Sequence, residues 1–139
     1  MREERGDQAL LLLRTDHWHG VTCDEICIES PQDADVTRSI EALDAASRTT
    51  LTLERAEASM TVGGGQGQYV VFVTVGDDQE FWNLLSKADE TGVVMINIGG
   101  QEGEFPARHV VDHEMAARAA VCFLESSLRD PTLTWELQK

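Results

Sequence analysis

Runs and alternations of apolar residues divide the chain into a strand-rich series with two helices. Residues 9–13 form an apolar run of strand length. Residues 18–28 hold a second strand, in which Ile26 and Ile28 share a face. Ser30-Pro31 reads as a helix start, with serine at the N-cap and proline at the first helical position. Asp33 and Asp35 suit the positive end of that helix dipole. Val36, Ile40 and Leu43 then recur on one helical face, and the helix is expected to end near Ser47.

A run of strands follows. Residues 50–53 point Leu51 and Leu53 inward, and residues 59–62 form another short strand. Residues 63–67 read as a glycine-rich turn. Residues 68–75 are apolar on both faces, which marks a central strand. A loop over 76–80 carries Asp77 and Asp78, and residues 81–85 form a further strand or a single turn. Residues 93–98 are a strand closed by Gly99-Gly100, and 101–104 reads as a loop. Asp112 can cap a second helix starting near His113. Met115, Ala119 and Phe123 lie along one side of it, with Ala116, Ala120 and Leu124 beside them. Pro131 follows, and Leu133 and Trp135 fit a last short strand. This order predicts an α+β fold: a mainly antiparallel sheet with two principal helices packed on it. A length of 139 residues suits one domain over 1–139, with residues 1–8 frayed.

Charge changes the picture most. Eleven Lys and Arg against 25 Asp and Glu give a net charge of −14. Such a field repels nucleic acid and anionic membrane and attracts basic surfaces. It is also unevenly spread. No cation lies between Arg14 and Arg38, and only Lys87 interrupts the span from Arg55 to Arg108. Large regions of one sign are expected where steering toward a basic partner matters. The three cysteines, Cys23, Cys27 and Cys122, make no disulfide framework, so a reduced, cytoplasmic location is expected. The early apolar run is too short for a signal segment or a membrane span.

Motifs for chemistry are sparse. The glycine-rich stretch lacks the Lys and Ser/Thr of a phosphate loop, and a strand follows it rather than a helix. His17 and His19 would share one side of a strand, but Cys23 and Cys27 lack the second ligand pair of a zinc site. No metal or cofactor is expected. His109 and His113 would need a nucleophile, and Cys122 falls on the expected buried side of its helix, where a cysteine is inert packing. No basic stripe with interleaved aromatics is present, so direct nucleic-acid binding is not expected. These readings favour a binding protein over an enzyme.

The C-terminal half resembles the immunity proteins of bacterial polymorphic toxin systems, in particular the family often encoded beside nucleic-acid deaminase toxins. The resemblance runs through residues 93–100, Phe105-Pro106 and Val110-Val111. It continues with the alanine-rich helix (Ala116, Ala119, Ala120, Phe123) and closes on Pro131, Leu133 and Trp135. In all it covers roughly residues 30 to 137, although Ser126 to Asp130 stand where a glycine is expected after the helix. The resemblance implies a protein that binds a cognate toxin and covers its active site, and it supplies no catalytic residue. A toxin acting on nucleic acid carries a basic groove that an acidic inhibitor can occupy. On that reading Asp77, Asp78, Glu80, Glu102 and Glu104 face the partner, and Phe81 or Trp82 supplies an apolar anchor, Trp82 being equally suited to the core. The alternative is an acidic adaptor or regulatory module without a toxin partner.

Overall fold

A computed structural model describes residues 10–76, 80–87 and 91–138. Its strands are β1 (Leu12–His19), β2 (Thr22–Glu29), β3 (Thr50–Arg55), β4 (Ala58–Gly65), β5 (Gln68–Val75), β6 (Glu80–Leu84), β7 (Val93–Ile98), β8 (Gln101–Pro106) and β9 (Trp135–Leu137). The helices are α1 (Asp33–Ala42) and α2 (His113–Ser126). Seven strands form one sheet in the order β2-β1-β3-β4-β5-β6-β9, and β7 pairs with β8 as a separate hairpin. Every pairing is antiparallel. The α+β expectation is therefore borne out.

Alternation assigns the two faces of the sheet. Leu13, Leu51, Leu53, Met60, Val62, Val71, Val73 and Leu84 are fully or almost fully buried. With Val36 and Ile40 of α1 and Met115, Ala116, Ala119, Ala120, Phe123 and Leu124 of α2, they make the main core. The alanines let α2 lie close to the sheet, and Phe123 fills the space between. The α2 face and its Asp112 cap stand as the sequence predicts: the Asp112 carboxylate accepts the Met115 amide at 2.9 Å.

Several local readings are corrected. The strand expected at 9–13 begins at Leu12 and continues to His19, because the alternation after Leu13 is carried by polar residues; residues 1–9 lie outside the described residues. Trp18, expected in the second strand, belongs to β1, and the two strands meet at a turn over Gly20-Val21. The first helix is capped by Gln32 rather than Ser30, with the Asp35 carboxylate accepting the Gln32 amide at 2.9 Å. It stops at Ala42, not near Ser47. There the Asp44 carboxylate gathers the amides of Ala46, Ser47 and Arg48, each at 2.9 Å, into a turn that competes with helix. The glycines expected to form a turn are mostly strand: β4 runs to Gly65, and only Gln66-Gly67 turns. The loop expected at 101–104 is instead strand β8.

Candidate functional site

The second face of the sheet carries no helix. Reading outward from β1, it presents Arg14, Asp16 and Trp18, then Thr50, Thr52 and Glu54 from β3 and Ser59, Thr61 and Gly63 from β4. Strand β2 adds Cys23, Glu25, Cys27 and Glu29, all exposed. Cross-strand hydroxyl pairs join Thr52 to Thr61 at 3.4 Å and Ser59 to Thr74 at 2.9 Å. Phe72 and Phe81 stack with ring centroids 4.9 Å apart. Arg14 is held by Glu54 at 3.0 Å and Glu25 at 3.3 Å, which leaves this corner with more carboxylate than cation. The glutamates, Glu54 first, raise the Arg14 guanidinium above its usual range. Antiparallel sheets often leave one face in water. What sets this one apart is the hairpin that covers one end of it.

The β7–β8 hairpin sits over the Gly63 and Val70 end of the open face. Val70 is only 3% exposed, yet it stands on the face opposite the main core, because the hairpin roofs it. Gly63 explains the close approach: a Cβ there would meet the Ile98 side chain at 2.7 Å. At the hairpin tip, Gly100 has φ +82° and lies against the Trp18 ring, where a Cβ would stand 2.4 Å from Cζ2.

A buried polar relay ties that tip to the sheet. The Asp16 carboxylate accepts the amides of Thr49 at 2.7 Å and Thr50 at 2.9 Å and the Trp18 indole at 2.7 Å. It also accepts the Thr49 hydroxyl, which in turn accepts the Gly99 amide at 2.9 Å. Burial alone pushes the Asp16 carboxyl up, but these donors outweigh it and hold the group below the usual carboxylate range. Asp16 and Thr49 are 33 residues apart, and sequence reasoning missed both. The one available signal was the glycine run in β4, which marks a close backbone approach when it falls inside a strand.

The residues expected to meet a partner fall in separate places. Glu102 and Glu104 are exposed on the outer side of β8, opposite Asn97 and Met95 of β7. Met95 and Val93 beside them are 50% and 61% exposed, so this side is both acidic and apolar. Glu80, Phe81 and Trp82 lie on β6, near the Val75 end of β5. That is five residues, about 17 Å of strand, from Val70 under the hairpin. Phe81 belongs to the open face. Trp82 belongs to the helix-covered face, where it packs on the core edge with the Arg129 guanidinium 3.7 Å above its ring. Its indole donates to Glu80 at 2.9 Å. Asp77 and Asp78 lie outside the described residues.

The histidines and cysteines are dispersed. His17 and His19 do share a side, with ring centroids 4.3 Å apart, and His19 meets Asp24 at 3.1 Å. Among the described residues no group of three or more His, Cys, Asp or Glu is placed to hold a metal. His109 contacts Glu136 at 2.8 Å; this hydrogen bond, more than any other contact, holds the Glu136 carboxyl below its usual range. His113 stands edge-on to Tyr69 at 5.9 Å. Cys122 is half-buried rather than buried, because it lies off the α2 stripe that enters the core, and its sulfur is 3.7 Å from the Ser126 hydroxyl. Nine residues of helix, about 13 Å, separate it from His113.

The architecture is thus an α+β fold whose polar sheet face carries no helix. Comparison with known families places it in the class of toxin-immunity proteins: residues 24–137 match Immunity protein Imm1. The chain belongs to the Imm1 family, and the match begins a few residues before the stretch in which the sequence resemblance was read. No curated protein matches the chain. Among the described residues no helix is long and apolar enough to cross a membrane.

Proposed function

We propose that this chain neutralises a cognate toxin by seating its open sheet face and the outer side of the β7–β8 hairpin against the toxin's basic substrate groove. The observation that carries the reading is family membership over residues 24–137. The surface follows from chemistry. Glu102 and Glu104 flank exposed Met95 and Val93, which supplies an acidic rim around apolar contact area. Glu25 and Glu54 extend the acidic field across the sheet, and the stacked Phe72–Phe81 pair provides an aromatic anchor on the same face. Glu80 shares the helix-covered face with Trp82, whose indole it accepts, and so falls outside this surface.

A basic groove is what a toxin acting on nucleic acid must have, so the favoured partner is of that kind, a deaminase-type toxin included. A net charge of −14 would speed encounter with such a groove. The test is co-expression with the toxin encoded beside this gene. The wild-type chain should form a stable complex and rescue growth. Failure of both overturns the reading.

A further inference from the structure

The two edges of the seven-stranded sheet are unequal. At one edge β9 is three residues long. At the other, β2 runs for eight residues, and all eight stand opposite a residue of β1 without a bulge. Seven of the eight are exposed, and among the described residues no strand pairs with the outer side of β2. The phase of its hydrogen bonds is fixed by Ser30, whose amide donates to the Leu11 carbonyl at 2.9 Å across the same ladder. Antiparallel pairing alternates, so Thr22, Asp24, Ile26 and Ile28 turn their amides and carbonyls to β1. Cys23, Glu25, Cys27 and Glu29 turn theirs outward. That is a ready template for a further strand.

Long free edges are usually blunted by lysine, proline or a bulge. Strand β2 has none of these and carries Asp24, Glu25 and Glu29 with no cation. Acidic side chains discourage a second copy of an acidic chain from adding there, and they favour a strand bearing Lys or Arg. Resting on the neutralisation reading above, we propose that β2 receives an extended basic segment of the cognate toxin as an added antiparallel or parallel strand. The main-chain groups of Cys23, Glu25, Cys27 and Glu29 would then bind the segment's backbone, while Glu25 and Glu29 would meet its basic side chains on the open face.

Hydrogen exchange on the wild-type chain, free and bound to the toxin encoded beside it, tests this without any substitution. The amides of Cys23, Glu25 and Cys27 should exchange quickly in the free protein and at least about tenfold more slowly in the complex. A second arm compares Glu25→Pro with Glu25→Gln. The proline removes an outward amide without touching the β1 ladder, which edge strands tolerate. It should weaken toxin binding by about tenfold or more, while the glutamine should mainly reduce the on-rate at low salt. Binding with those three amides still unprotected overturns the added strand and leaves the neutralisation reading intact. Absence of wild-type binding overturns both. Protection already present in the free chain, with a dimer in light scattering, assigns the edge to a second copy and overturns the proposal.

Discussion

The two faces of the seven-stranded sheet are made by alternate residues of the same strands, and their chemistry is opposite. In β3, Leu51 and Leu53 point to the helices while Thr50, Thr52 and Glu54 point away; in β4, Met60 and Val62 oppose Ser59, Thr61 and Gly63. The centre of the covered face is buried aliphatic surface, with Phe123 and the alanines of α2 fitted against it. The open face is hydroxyls, carboxylates and one aromatic pair, roofed at one end by a hairpin on glycine. The difference teaches where stability is located and which surface the proposed function assigns to recognition. One face can hold the fold together while the other is free to carry partner chemistry, because a pleated strand decouples neighbouring side chains.

The largest expected effect lies on the covered face. Phe123→Ala should lower unfolding free energy by about 4 kcal/mol, read by denaturant melts. A loss below about 1 kcal/mol would mean that α2 is not seated as described.

Next comes the relay that ties the hairpin tip to the sheet. Asp16→Asn should cost about 2–3 kcal/mol at neutral pH, because an amide cannot accept all four donors. The Asp16 carboxyl titrates lower in the folded protein than in the unfolded chain, so its contribution is present above the unfolded value near pH 4. It is lost as pH falls through the folded value. The gap between Asp16→Asn and wild type should therefore be widest at neutral pH and close in acid, and a gap independent of pH would rule out the carboxylate as the source.

Gly63→Ala should cost about 1–3 kcal/mol, because Ile98 and the hairpin must give way to the new Cβ. Faster exchange of the β7–β8 amides would accompany it; an unchanged hairpin would break the roofing described above. The smallest stability effect belongs to the open face itself. Glu54→Gln should change stability by no more than about 0.5 kcal/mol, since its pair with Arg14 is solvent-exposed.

Much of the covered face was legible because its code is local. Residues 68–75 announce themselves by an apolar run and α2 by its period and by Asp112, and the structure keeps the strand's bounds and the helix's start at His113. The open face was not legible for the same reason that it is open. Polar alternation over Arg14–His17 carries no apolar signal, so six of the eight residues of β1 were not assigned to it. The glycines of β4 look like a turn until Ile98 is seen above them. Thr49 and Asp16 meet only through the tertiary fold. Phe81 and Trp82 are adjacent in sequence, and their separation onto opposite faces follows only once β6 is known to be a strand.

The central claim is that recognition is placed on the open side and its hairpin rather than spread over an acidic protein as a whole. Two double variants with the same change in net charge separate these ideas. Glu102→Lys with Glu104→Lys alters the outer side of β8, while Glu41→Lys with Glu125→Lys alters exposed positions on the helices. Association rates with the toxin encoded beside this gene, measured at low salt, are the readout. The hairpin pair should slow association by about tenfold or more and the helix pair by far less. Equal slowing by both pairs would contradict the claim and reduce the acidity to a property of the whole surface.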